Sequence, residues 1–150
     1  MKRTMVKHTT EAVGQEIKLQ GWVQTKRDHG KLTFIDLRDR TGSVQCVGYQ
    51  KMGELTTESV IEVMGNVKAR PEKMINANSP TGTVEVDVQS YTVLNKAKEL
   101  PILVEGDGID VNEEVRLRYR YLDLRRERMA KIMKLRSEYF AALRVGFYEQ

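Results

Sequence analysis

A small all-β barrel followed by a hinge and a C-terminal helix is what this sequence predicts, and three observations predict it. Residues 16–94 hold five runs in which apolar and polar residues alternate with period two. Two of those runs carry an internal glycine, Gly21 and Gly65, where a strand can bend sharply enough to close a barrel. Beyond residue 125 the apolar spacing changes to the wider steps of a helix.

Residues 1–15 are polar, and Thr9, Thr10 and Glu11 before Ala12 and Val13 suit the cap of one helical turn ending at Gly14. The first strand spans 16–27, with Ile17, Leu19, Gly21 and Val23 on one face. Asp28-His29-Gly30 is a turn signal, since glycine takes φ > 0 without a steric cost. The second strand spans 31–38. It turns Ile35 and Leu37 to the core and Leu32, Phe34 and Asp36 outward. Arg40-Thr41-Gly42 turns again, and 43–47 is a third strand with Val44 and Cys46 in and Gln45 out. A connector over 48–58, with a helical turn at 54–59, leads to the fourth strand, 60–70, which Pro71 stops. A loop rich in Asn, Pro and Gly covers 72–82. The fifth strand, 83–94, points Val84, Val86 and Val88 one way and Glu85, Asp87 and Gln89 the other.

Five bent strands with two short hairpins and a longer link between the third and fourth describe an OB-fold barrel. An SH3-like or other small five-stranded barrel fits the same pattern. After residue 95 the chain leaves the barrel through Gly106 and Gly108. Asn112 is suited to cap a short helix beginning with Glu113 and Glu114, where acid meets the positive helix end. From Arg125 onward Met129, Ile132, Met133, Tyr139 and Leu143 mark one helical face, the start of a second domain or a docking element.

Net charge is only +4, but it is unevenly spread: residues 101–115 contain five acidic residues and no Lys or Arg, whereas 116–150 are strongly basic. The acidic stretch therefore reads as a boundary. A single cysteine excludes an internal disulfide and favours a reducing compartment. No apolar run approaches the ~18 residues of a membrane span. The N-terminus lacks the apolar core of a signal peptide, so the expected location is cytoplasmic.

The outward residues carry the candidate chemistry. Phe34 offers a base a stacking surface, with an aromatic covered by a loop or by the C-terminal helix as the equal alternative. Gln45 can donate and accept at one base edge, although a solvated glutamine is the commoner case. Glu85 can accept from base N–H groups, or simply form a surface ion pair. Lys26, Arg27, Lys31, Lys68 and Arg70 lie at strand ends where they could follow a phosphate backbone or form a solvated basic rim. Asp36, Arg38, Asp39 and Arg40 are expected to pair with one another across the hairpin. His8 and His29 have no ligand-spaced neighbours, so no metal site is expected. Cys46 points inward and reads as core rather than nucleophile. No hydrolase, phosphate-loop or zinc-protease motif is present, so no catalytic residue is expected in these 150 residues.

The segment GWVQTKRDHGKLTFIDLRDRTGSVQ closely resembles the N-terminal anticodon-binding barrel of bacterial-type aspartyl-tRNA synthetases. The resemblance continues through ESVIEVMGNVKARPEKMIN and PTGTVEV and resumes in RLRYRYLDLRRERM, the hinge before a class II catalytic domain. Asparaginyl- and lysyl-tRNA synthetases share the fold and part of the pattern. The resemblance implies an OB-fold anticodon-binding domain over 1–100, a linker or hinge over 101–124, and a helix over 125–150 that begins the catalytic domain. It implies that Phe34 stacks the central uracil, Gln45 reads that base, Glu85 reads the first anticodon base, and Arg27, Arg70 and Asn76 contact or flank the triplet. His29 stands where many strictly specific members have leucine. A histidine there resembles members that also charge the asparagine tRNA, so the implied partners are tRNA(Asp) and also tRNA(Asn).

The full-length enzymes of this group use ATP and magnesium and are homodimers. This chain has no cofactor of its own by this reading, is inactive alone, and is expected to be a monomer. Three departures stand out. The link between the third and fourth strands is short. His29 replaces the usual leucine. The Gly146-Phe147 pair of motif 1 comes early, with motifs 2 and 3 absent from the sequence. The rival functions are a free-standing OB domain that binds single strands without preference, and a protein-interaction module built on the Met129–Ile132–Tyr139 face.

Overall fold

Strand 1 changes partners halfway along, and two glycines let the sheet close around it. In the computed structural model, which describes residues 2–49 and 52–149, the chain forms two compact units, 1–99 and 100–150. The first unit is a closed five-stranded barrel with order β1-β2-β3-β5-β4. The strands are β1 (Glu16–His29), β2 (Leu32–Asp39), β3 (Gly42–Tyr49), β4 (Val60–Ala69) and β5 (Val84–Asn95). All neighbours are antiparallel except β3 and β5, which pair in parallel. This is the OB-fold arrangement.

The first half of β1 pairs with β4 and the second with β2, and Trp22 meets both Val60 and Arg38 at the changeover. A Cβ on Gly21 would lie 2.3 Å from the Arg38 carbonyl oxygen, and one on Gly65 2.3 Å from that of Asp87. Both glycines thus serve backbone-to-backbone approach. The β1–β2 register shifts at Gln24, three residues beyond Gly21. The shift at Gly65 matches expectation, with the extra residue, Gln89, on β5.

The period-two alternation holds. Ile17, Leu19, Val23, Ile35, Leu37, Val44, Cys46, Ile61, Val63, Val67, Val84 and Val86 fill the barrel, and Val6, Met52 and Leu55 join the same core. Burial pushes the Cys46 thiol far above its ordinary range, with a smaller contribution from Asp36, which keeps it protonated and inert.

Several local expectations are corrected. The N-terminal turn is a 3-10 turn over Val6–Glu11, earlier than the Thr9–Thr10 cap predicted, because Asp39 captures the Val6 N–H at 2.9 Å. The short turn after β3 spans Met52–Glu54, not 54–59. Asp36, Arg38 and Asp39 do not pair with one another. Asp36 and Arg38 face outward and Asp39 faces inward, and each finds a partner on a different element. Arg38 bonds Glu58 at 2.8 Å. Asp39 accepts from Val6 N and from both Thr41 donors, and Asp36 accepts from the Thr25 hydroxyl.

The second unit contains α1 (Glu113–Arg118), α2 (Arg120–Asp123) and α3 (Glu127–Tyr148). Asn112 caps α1 as predicted, accepting from Glu114 N at 2.8 Å. The short α2 is not evident in the spacing of the sequence. It presents Leu122 to a small core with Ile102 and Val104. It also buries Asp123, which accepts from Arg116, Arg120 and Arg126 at 3.0–3.3 Å. α3 has no buried residue. No described helix is long and apolar enough to cross a membrane.

Candidate nucleic-acid interface

Outward residues of β1, β2, β3, β5 and β4 form one continuous surface, because barrel closure puts alternate positions of neighbouring strands side by side. One row runs Arg27–Phe34–Val47–Asp87–Asn66 in register. The adjacent row runs Thr25–Asp36–Gln45, then Glu85 and Lys68. Phe34 is half-buried, neither lost in the core nor free in solvent. Its flank is fixed by His29, whose ring stands edge-on with centroids 5.5 Å apart and planes at 86°.

Gln45 and Glu85 meet although forty residues separate them in sequence. The amide Nε2 of Gln45 donates to the Glu85 carboxylate at 3.2 Å. That contact orients both groups: the amide oxygen of Gln45 and the second carboxylate oxygen of Glu85 are left to accept from a base. Arg70 supports the pair from the other side. Its Nε donates to the Val84 carbonyl at 2.9 Å and sits 3.9 Å from Glu85, with the side chain only 9% exposed. Asn76 lies exposed in the β4–β5 loop, its Oδ1 accepting from Asn78 N at 3.1 Å.

The cations around this surface already hold carboxylates. Arg27 lies 3.5 Å from Asp36, Lys68 2.5 Å from Asp87, and Lys26 3.4 Å from Asp28. The hydrogen bond and charge of Asp87 hold the Lys68 ammonium above its ordinary range, with lesser contributions from Tyr49 and Glu85. The hydrogen bond from Thr33, followed by Lys26, holds Asp28 below its own range. Water and salt screen exposed pairs of this kind, so a phosphate can take over the cation at small cost. Lys31 is exposed in the turn before β2. Lys26 differs from the rest: it pairs with Ile35, so its side chain leaves the strand on the face opposite Phe34.

The structure therefore brings together Arg27, His29, Phe34, Gln45, Lys68, Arg70 and Glu85, and sets Lys26 apart. It also adds residues that the sequence pattern does not single out. Asp36 and Thr25 lie beside Gln45, and Tyr49 extends the outward face of β3 past Val47. A third strand ending at Val47 hides Tyr49; two more residues of the same alternation reach it. Among the described residues no three His, Cys, Asp or Glu side chains gather as a metal ion would need.

Residues 17–94 match the family model described as an OB-fold nucleic acid binding domain. The aspartate–tRNA(Asp/Asn) ligase of Moorella thermoacetica is 47% identical to the chain over 94% of it, and that of Heliobacterium modesticaldum is 46% identical over 87%. The chain spans only 25% and 23% of those relatives' lengths. Among solved structures, the asparaginyl-tRNA synthetase from Pyrococcus horikoshii complexed with asparaginyl-adenylate matches with a TM-score of 0.80 and 28% identity, covering 99% of this chain and 35% of that one. The aspartyl tRNA synthetase from Entamoeba histolytica, 20% identical, shares the fold with a TM-score of 0.87 over 100% of this chain and 38% of its own.

Proposed function

The chain belongs to the OB-fold nucleic acid binding domains of the aspartyl-tRNA synthetase group, and on that basis we propose that its outer face holds the unstacked anticodon of tRNA(Asp). One observation carries the reading: a half-exposed phenyl ring stands one row from a hydrogen-bonded amide–carboxylate pair. An unstacked base gains its stacking energy on Phe34. Gln45 reads the edge of that base, and Glu85 accepts from the N–H groups of the next, rejecting bases that offer only carbonyls. Arg27 and Lys68 exchange their carboxylate partners for phosphates, Lys31 meets the RNA backbone from its exposed turn, and Arg70, while supporting Glu85, flanks the triplet with Asn76. Lys26, on the other face, contributes by long-range attraction.

Phe34→Ala is expected to weaken binding of an aspartate-anticodon stem-loop by roughly fivefold to a hundredfold or more, the equivalent of one base–aromatic stack. Titration of the RNA by fluorescence anisotropy measures it. A variant that binds as tightly as the parent overturns the reading and favours a protein-interaction module. Equal affinity of the parent chain for a pyrimidine single strand of the same length favours a nonspecific OB domain instead.

His29 tunes this site through the ring it touches. A histidine at that position supports acceptance of both tRNA(Asp) and tRNA(Asn), in keeping with relatives named for both. His29→Leu is expected to raise the preference for the aspartate stem-loop over the asparagine one in paired binding assays. An unchanged ratio would refute that role.

We assign residues 1–100 to anticodon binding, 101–124 to the hinge and 125–150 to the first helix of a catalytic domain. We place this domain in the setting of a full-length ligase of the group, where aspartate is joined to tRNA with ATP and magnesium by residues not among these 150. A homodimer of that ligase and a cytoplasmic location belong to the same proposal.

A further inference from the structure

We propose that Tyr49 is a second stacking platform, taking a loop nucleotide other than the one on Phe34. The inference rests on the anticodon reading above and extends it to a residue outside the predicted set.

Position 49 is outward by construction. Gly48 faces the barrel interior, where a Cβ would come within 2.8 Å of the Met52 methyl group, so Met52 seals the end of β3 against a bare backbone. Strand alternation then sends Tyr49 to the opposite side. Its backbone pairs with Leu32, so the ring is held on the ladder and not on a free loop. Yet it is 69% exposed. A tyrosine ordered at its base and bare over most of its ring has little to gain from its own barrel.

Its neighbours define what it can take. Phe34 pairs with Val47, which puts Tyr49 diagonally across the strands from Phe34. Such diagonal positions lie about 7–8 Å apart, within reach of aromatic side chains. Gln45 and Glu85 lie on the other side of Phe34 along the strands, so the groups that read bases and the ring of Tyr49 flank it from opposite directions. The residues next to Tyr49 on the outer face are Leu32 and Val47, both apolar. A base there meets a ring and aliphatic carbon, so stacking supplies the contact and any base is tolerated. Lys68, bonded to Asp87 in the row beside Val47, offers a cation to the nucleotide's phosphate.

The test uses the full chain and RNA loops in which one base at a time is removed. Tyr49→Ala should weaken the intact aspartate stem-loop by about fivefold or more, and Tyr49→Phe should bind within about twofold of the parent. The Tyr49→Ala penalty should vanish on one abasic loop, and a different abasic loop should abolish the Phe34→Ala penalty. Thermal unfolding of Tyr49→Ala should match the parent, since the ring is exposed. If Phe34→Ala weakens binding and Tyr49→Ala does not, this inference is overturned and the anticodon reading stands. A Tyr49→Ala penalty that persists on every abasic loop also overturns it. If neither variant changes affinity, the anticodon reading itself falls.

Discussion

Asp123→Ala is expected to destabilise the helical unit by roughly 3–5 kcal/mol, the usual cost of removing one partner from a buried ion cluster. The Asp123 side chain is completely buried, and three guanidiniums converge on it. One of them, Arg126, is itself only 2% exposed and also donates to the Glu105 carbonyl. Its Nη2 has no hydrogen-bond partner among the described residues. The site therefore already carries excess positive charge, and losing its carboxylate leaves Arg126 uncompensated. Apolar burial cannot make up the loss, because the core beside it consists of Ile102, Val104 and Leu122. Hydrogen exchange of amides 116–126 measures the effect. Exchange as slow as in the parent would contradict it.

The same cluster predicts an acid dependence. The hydrogen bond from Arg116, then the charges of Arg116, Arg120 and Arg126, outweigh desolvation and hold the Asp123 carboxyl below its ordinary value of 3.8. A depressed carboxyl stabilises the fold fully above the unfolded value and loses that contribution as pH falls through the folded one. Protection of 116–126 should therefore drop below pH 3.8 in the parent, a step that Asp123→Asn removes.

Gly65→Ala is expected to cost the barrel about 3 kcal/mol or more, at the upper end of overpacking effects. The added methyl would lie 2.3 Å from the Asp87 carbonyl oxygen and 3.0 Å from Val86 Cγ1. A backbone oxygen cannot rotate away, so relief requires β4 and β5 to separate. That displaces Asp87 and Glu85, and with them the partner of Gln45. The fluorescence of Trp22, the only tryptophan, reports unfolding of β1 against β2 and β4. The midpoint should fall, and stem-loop affinity should fall with it. A variant with an unchanged midpoint would mean that the seam can yield.

Legibility in the sequence differs by kind of feature. The resemblance carried in GWV, FIDLRDR and RYRYLDLRR points to the interface and sets Gln45 and Glu85 in it. Pattern alone places each on an outward face but cannot make them neighbours. Asp36, Arg38 and Asp39 mislead because residues close in sequence look like partners. Only Asp39 is turned inward, and all three are claimed by partners from other elements, Thr25, Glu58 and the Val6 N–H. Arg126 reads as one more charge in a basic stretch, and only the packing of α2 reveals it as buried.

The sequence by itself determined which side of each strand is apolar, where the chain can bend, and where helix replaces strand. Those are local properties, set by the spacing of side chains along one backbone. Only the tertiary structure decided which outward groups touch. Closure in parallel of β3 on β5 joins residues forty positions apart, and its register is a property of the whole barrel.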